Sequence, residues 1–372
     1  MVAGETSGDL LAGLLLGGMK ARWPGVQAFG IGGPRMREQG FDAWWPHEKL
    51  AVFGYAEVLR HYRELSRIRE QLGTRLLRER PDAFIGVDAP DFNFGLERRL
   101  KEAGTKAIHF VSPSIWAWRG SRIERIKASV DYVLCLFPFE PEIYAKAGVP
   151  ATFVGHPLAD TIPLEVPQAQ ARQALGLCES DIVVAVLPGS RRSEVHYIAP
   201  RFLQAAARLH AARPDLRFVM PVVPGREAAL EPMVRQLAPQ VPLQLVSGRS
   251  HECLAACDVT LVGSGTATLE AALFKRPMVI GYYLNSLSWQ IMKRMSYLPW
   301  VGLPNILSRE FVVPEFLQHA CNATQLSAAV LDWLDNPSKV RALQERFAEL
   351  HLQLRRNTAE TATHAIANVI GA

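Results

Sequence analysis

Residues 259–270 read Val-Thr-Leu-Val-Gly-Ser-Gly-Thr-Ala-Thr-Leu-Glu. Val259 to Val262 is a short, largely β-branched run of the kind that lies fully buried in a parallel sheet. Gly263-Ser264-Gly265 breaks it, and two glycines let the backbone turn tightly and approach a ligand without Cβ interference. Thr266 and Thr268 open a helix with an apolar face of Leu269, Ala272 and Leu273. Lys275-Arg276 and Pro277 close it, as cations and proline do. Strand, glycine turn and helix start together aim backbone N–H groups and a positive helix end at an anion, most often a phosphate. Glu270, about one turn into the helix, is placed to take the hydroxyls of an attached ribose. A plain αβ turn with Glu270 in water fits this stretch equally well, so the rest of the chain has to decide.

The surrounding pattern is alternation. Met1-Val2-Ala3 is a strand stub, either clipped here or continued upstream in the native chain, and a helix follows from Leu10 to about Ala21. Further strands are expected at Val26–Gly30, Ala83–Val87, Lys106–Val111, Tyr132–Leu136 and Thr152–Val154. Helical patterns near Glu57–Arg80, Phe94–Ala103, Ser121–Ala128 and Glu140–Ala147 separate them. The proline-rich, aperiodic stretch Pro157 to Gln170 reads as a linker. Alternation then restarts with strands at Ile182–Leu187, Arg217–Pro221, Leu243–Val246, Val259–Val262 and Pro277–Tyr282, and helices at Ala199–Ala212, Arg226–Leu237 and Cys253–Ala256. Such alternation means a parallel sheet covered on both faces. The expected fold is α/β, two Rossmann-like doubly wound parallel-sheet domains at 1–160 and 170–345 with a deep interdomain cleft. Leu343, Phe347, Leu350 and Leu354 mark a helical tail, whose end, 350–372, is expected to pack onto the first domain.

Length and composition agree. A chain of 372 residues with 49% hydrophobic content can bury two cores. The formal charge of +5 and pI near 9.0 suit an anionic partner, though a mildly basic enzyme has the same balance. Cys135, Cys178, Cys253, Cys257 and Cys321 show no CxxC or Cys/His metal spacing, and read as reduced core thiols of a cytosolic protein. Leu10 to Met19 is half the length of a membrane span, and acidic residues precede it, so any membrane contact is expected to be peripheral.

In open α/β sheets ligands sit beyond the carboxyl ends of the strands. Glu5-Thr6-Ser7-Gly8-Asp9 follows the first strand: Glu5 faces the crevice, while Ser7 or Asp9 serves equally as an N-cap. Asp88-Ala89-Pro90-Asp91-Phe92-Asn93 follows another, with Asp88 read as a general base for an alcohol and Asp91 as the cap of the next helix. Pro188-Gly189-Ser190-Arg191-Arg192-Ser193-Glu194 offers backbone donors at Gly189 and Ser190 and a guanidinium fork matched to phosphate. With the Ser264-Gly265-Thr266 turn beside it, a shared diphosphate site is expected. No Walker lysine is present, and Gly30-Ile31-Gly32-Gly33-Pro34 lacks dinucleotide spacing and reads as structural. Two greasy segments, Phe41 to Tyr62 (Trp44, Trp45, Val52, Phe53, Tyr55) and 282–303 (Tyr282, Tyr283, Trp289, Ile291, Met292, Met295, Tyr297, Trp300, with Lys293 and Arg294), fit either core or a bilayer interface. His109, His156 and His196 read as structural.

Taken in order, Val2 to Asp9, Asp88 to Asn93, Ser112-Pro113-Ser114-Ile115-Trp116-Ala117-Trp118-Arg119, Leu187 to Arg191, Ser264 to Ala267 and Leu303-Pro304-Asn305 resemble the lipid-A-disaccharide synthase family through nearly the whole chain. The resemblance implies a GT-B type inverting glycosyltransferase that joins UDP-2,3-diacylglucosamine to 2,3-diacylglucosamine 1-phosphate (lipid X) in a β(1→6) bond and releases UDP. It implies a peripheral protein on the cytoplasmic face of the bacterial inner membrane. The residues themselves add that the basic surface is expected to face anionic lipid, and that main-chain donors are expected to serve the diphosphate without metal or cofactor. The family's essential acid falls on Asp88, its amino-terminal Glu on Glu5, its Arg on Arg191 and its LPN amide on Asn305. A sugar-nucleotide epimerase of the same twin-domain layout is the rival enzyme, and a non-catalytic nucleotide-binding or membrane-scaffold module the rival of another class. A nucleic-acid binder is disfavoured because no basic stripe or aromatic platform appears. Oligomeric state is left open, a homo-oligomer included.

Overall fold

Short apolar strands separated by amphipathic helices are able to pair in parallel, because each crossover is long enough to carry a helix back over the sheet. The computed structural model describes residues 1–50, 55–295 and 297–372, apart from the side chains of 55–62, 287, 288 and 291. It holds two such sheets. In one unit, Met1–Asp160 with Gln353–Ala372, the strands are β1 (Val2–Ala3), β2 (Phe29–Gly32), β3 (Asp42–Pro46), β4 (Ala83–Val87), β5 (Lys106–Phe110), β6 (Tyr132–Cys135) and β7 (Ala151–Phe153), in the order β3-β2-β1-β4-β5-β6-β7. In the other, Thr161–Leu352, β8 (Ile182–Leu187), β9 (Leu216–Val222), β10 (Leu243–Ser247), β11 (Val259–Gly263), β12 (Met278–Tyr282) and β13 (Glu315–Leu317) run in the order β10-β9-β8-β11-β12-β13. Every pairing among the described residues is parallel. The two-domain Rossmann-like class expected from the alternation is therefore the class observed.

Register fixes which loops are neighbours. Ala3 pairs with Val87, so Gly4 and Asp88 leave the first sheet side by side. A Cβ on Gly4 would come within 3.1 Å of the Ala89 Cβ, and this close approach is what the glycine permits. In the second sheet Val262 pairs with Leu187, so Pro188 and Gly263 leave together.

Several boundaries need correcting. The strand expected at Val26–Gly30 lies at Phe29–Gly32, and β3 and β13 were not expected at all. β3 is an edge strand whose ends, Asp42 and Pro46, are exposed. Its Trp44 stacks on Phe29 at 4.7 Å under the Arg75 guanidinium, so this aromatic braces the first unit. Val52 and Phe53 lie outside the described residues, as do the side chains of Tyr55 and Ile291. The helix expected at Ala199–Ala212 starts at Arg192 and runs through Pro200. Cys178 is exposed, so only the other four cysteines are core thiols. The stretch read as a linker carries a short helix, Pro157–Thr161.

The tail forms two helices, Pro337–Leu354 and Thr358–Ile370. Asp160 starts the second by accepting the Asn357 and Thr358 N–H groups at 3.0 and 2.7 Å. Thr358–Ile370 then packs on the Thr6–Arg22 helix, where a Cβ on Gly18 would stand 2.7 Å from the Ala359 carbonyl oxygen. Gly18→Val is expected to force these backbones apart and cost about 1–3 kcal/mol. The measurement is a lowered melting temperature with faster amide exchange across residues 358–370.

Candidate active site

In the second sheet the chain winds outward from β8 to β9 and β10 on one side, and through β11 to β12 and β13 on the other. Ligand crevices form beyond the carboxyl ends at such a reversal. There the structure has an open cavity of about 480 Å³, within the range of small-molecule sites. Gly189, Ser190 and Arg191 line it from the loop after β8, Pro221 to Pro224 from β9, Gly248 from β10, and Ser264, Gly265, Thr266 and Glu270 from the loop and helix after β11. Seven of the residues singled out in the sequence thus meet in one place.

Gly265 has φ +132° and precedes the Thr266–Leu273 helix, whose start has no side-chain cap. Its first N–H groups are donors at the cavity wall, where an anion gains from both the orphan amides and the helix dipole. The β8 loop differs from expectation. Glu194 reaches back and accepts the N–H of Ser190 and of Arg191, each at 3.1 Å, capping the start of the Arg192–Ala212 helix from its third residue. Those two amides are satisfied by a carboxylate, and what the loop presents is the Arg191 guanidinium, 68% exposed and 3.4 Å from Glu194. Gly189, at φ +117°, is required because a Cβ would strike Glu194 at 2.5 Å. Arg226, which donates to the Ser190 carbonyl at 2.8 Å, and His251, 3.3 Å from Glu270, were missed in the sequence. The Glu three residues after Arg191 was the legible capping signal.

Asn305 does not line the cavity. It is fully buried and its amide is used up: Oδ1 accepts from Val312 and Val313, and Nδ2 donates to Val313 and Glu315. The reading of Asn305 as a direct substrate contact is corrected on that ground.

In the first sheet the reversal lies between β1 and β4, and its two loops carry Glu5 and Asp88. Asp88 and Ala89 are consecutive left-handed residues, φ +52° and +43°. Such geometry costs of order 1–3 kcal/mol per residue and persists only where surroundings impose it. Here Asp88 N–H donates to the Phe110 carbonyl at 2.9 Å, and Asn93 Nδ2 donates to the Asp88 carbonyl at 2.8 Å. The Asp88 residue is half-buried. Asp91 is not a cap: the cap position is Ala89, and Asp91 sits on the surface at 3.0 Å from Arg122. Glu5 occupies the N-cap position of its helix, half-buried. Asp9 is buried and caps a different helix, Pro34–Glu38, by accepting from Gly33, Arg35 and Met36. The Gly30–Pro34 run packs tightly, as a structural reading requires: a Cβ on Gly30 would lie 2.3 Å from the Met1 carbonyl oxygen.

The Ser112–Arg119 motif sits beyond β5, anchored by a buried carboxylate that sequence reading passed over. Glu140 accepts from Trp116 Nε1 and the Phe137 N–H, both at 3.0 Å. Burial pushes its carboxyl up to about 7, against these hydrogen bonds. Between about pH 4.5 and 7 the folded protein keeps this proton while the unfolded chain has lost it, so the stabilisation from a neutral Glu140 is lost as pH rises. Wild type is expected to lose on the order of 3 kcal/mol over that window relative to Glu140→Gln, read from urea unfolding at stepped pH. His156 is buried and pushed down to about 4 by desolvation, and His109 is fully buried at 2.7 Å from Glu97. Both sit inside the first unit.

Comparison with known proteins follows the same lines. The family model described as lipid-A-disaccharide synthetase matches residues 1–369. The lipid-A-disaccharide synthase of Albidiferax ferrireducens is 58% identical over all of this chain and 96% of its own length. Among solved structures, the UDP-GlcNAc 2-epimerase of Neisseria meningitidis bound to UDP-GlcNAc aligns with TM-score 0.65 over 97% of both chains, at 12% identity. WaaG, a glycosyltransferase involved in lipopolysaccharide biosynthesis, aligns with TM-score 0.59 at 15% identity over 98% of this chain and 97% of its own. At such identities these two structures speak for the fold alone.

Proposed function

The chain belongs to the lipid-A-disaccharide synthase family, a glycosyltransferase family, and we propose that its second unit holds the UDP end of the donor while Asp88 of the first unit activates the acceptor. The reaction joins UDP-2,3-diacylglucosamine to 2,3-diacylglucosamine 1-phosphate through a β(1→6) bond and releases UDP. One observation carries the assignment of the donor: a glycine turn and uncapped helix start share the walls of one cavity with the Arg191 guanidinium. Glu270, on the same wall, takes the ribose hydroxyls in this reading.

Asp88 removes the proton of the acceptor 6-hydroxyl as that oxygen attacks the anomeric carbon. The bond from carbon to the diphosphate oxygen breaks with inversion, and its electron pair leaves on UDP. Preorganised donors favour a charge that grows as the bond breaks, and here Arg191 and the first N–H groups of the Thr266–Leu273 helix carry that role without a metal. A single base suffices, in contrast to the closely spaced carboxylate pair of a retaining glycosidase. Glu5 orients the acceptor or Asp88.

Access to lipid is the remaining part of the reading. Among the described residues no helix is long and apolar enough to cross a membrane. The 282–303 segment supports peripheral binding at the inner face of the bacterial inner membrane: Tyr297 is 61% exposed, Trp289 and Trp300 are half-buried, and Lys293 and Arg294 are exposed. Aromatics beside cations suit an interface over anionic lipid.

The test is to mix UDP-diacylglucosamine with lipid X and look for a tetraacyl disaccharide phosphate by mass spectrometry. Epimerised UDP-sugar from donor alone would favour the rival enzyme, whose structural likeness extends to the fold only.

A further inference from the structure

The turn at the head of the cavity is not self-supporting. Ser264 Oγ donates to the Val301 carbonyl at 2.8 Å. Thr268 Oγ1 donates to the Gly265 carbonyl at 2.8 Å and accepts the Leu303 N–H at 3.1 Å. The turn is therefore tied to residues 301–303, which themselves hang on one carboxylate. Glu315, on β13, accepts the Val301 N–H at 2.9 Å with Oε2, and the Gly302 N–H and Asn305 Nδ2, both at 2.8 Å, with Oε1. Asn305 completes the frame through its three bonds to Val312 and Val313.

The chemistry of this frame is unusual for a loop support. Among the described residues Glu315 has no ion-pair partner, so N–H donors alone compensate its charge. Burial pushes its carboxyl above the ordinary range, and the three donors pull it back. A half-buried carboxylate with no cation is costly where apolar packing would serve. What it provides instead is direction: two bonds fix the peptide planes at Val301 and Gly302, the third holds the Asn305 amide, and through Ser264 and Thr268 the frame orients the glycine turn.

We propose that Glu315 is a positioning residue for the diphosphate, holding the Ser264 turn and the first N–H groups of the Thr266–Leu273 helix aimed into the cavity. This rests on the reading of that cavity as the UDP site. It also gives Asn305 its work: the amide acts through Glu315 and not on substrate.

UDP is titrated calorimetrically into wild type, Glu315→Gln, Ser264→Ala and the double variant, with melting temperatures taken in parallel. Glu315→Gln replaces an acceptor with an NH₂ that faces an N–H donor, so the UDP Kd is expected to rise roughly 10–30-fold while the protein stays folded. Ser264→Ala removes one of the two ties between frame and turn, leaving the one through Thr268, and should raise Kd by a smaller factor, roughly 3–10-fold. The double variant should bind no more weakly than the weaker single, because both break one linkage. Wild type that fails to bind UDP overturns the nucleotide reading itself. Wild type that binds, with both single variants at wild-type affinity, overturns the positioning role alone, as does a lower melting temperature without a change in Kd. Should Glu315→Gln not fold, Thr268→Val decides, because Thr268 carries the second tie and does not line the cavity: an unchanged Kd overturns the proposal and a raised one supports it.

Discussion

Asp88→Asn is expected to lower turnover by ~10²–10⁴-fold, the usual contribution of a positioned general base, while UDP affinity stays within about twofold of wild type. Asn is the cleaner probe than Ala. Residue 88 has φ +52°, and Asn tolerates the left-handed region where Ala adds strain. Asp88 belongs to the first unit and the cavity-lining residues to the second, so kcat and UDP binding should separate. The pair of measurements is steady-state disaccharide formation and calorimetric UDP titration. Turnover that survives in Asp88→Asn would falsify the assignment and move attention to Glu5. Loss of UDP binding in the same variant would mean that residue 88 acts on the donor.

Arg191→Ala should instead damage both quantities. Removing one preorganised donor to a developing charge costs about 10²–10³ in rate. Here the loss is compounded, because Glu194 stays at the Ser190 and Arg191 N–H groups with its nearest cation gone. The remaining carboxylate repels the diphosphate, so the UDP Kd rises along with the fall in kcat. Arg191→Lys keeps the charge but not the planar fork, and is expected to fall between the two. If UDP binds Arg191→Ala as tightly as wild type, the guanidinium does not touch the diphosphate.

The parts of this molecule that were legible in its sequence are those where one force dominates. Ala83–Val87 and Ile182–Leu187 were placed to the residue because strands covered on both faces must be apolar throughout. The glycine turn was legible for a similar reason: only glycine takes φ +132° comfortably. β3 was missed because an edge strand of Asp-Ala-Trp-Trp-Pro carries no alternation, and β13 because three residues make no pattern. Side-chain direction was the least legible. A motif marked Asn305 as important, yet nothing in Leu-Pro-Asn tells whether the amide faces a ligand or folds back on its own loop. The resemblance supplied the residue, and the hydrogen bonds supplied its orientation. Glu194 is the converse case, a capping residue that also sits where an anion was expected.

One consequence follows from the way the first unit is assembled from two separate stretches, Met1–Asp160 and Gln353–Ala372. On the ribosome its opening stretch emerges first, but Ala362, Ala365 and Ile366, which share a core with Leu15 and Leu16, arrive only after all of residues 161–352. At ~5–20 residues per second that interval is roughly 10–40 s. Throughout it the nascent amino-terminal half shows a greasy helix face to solvent, and by its end the later unit has every strand it needs. The half made first is thus finished last, and in the meantime it is a natural client for chaperones.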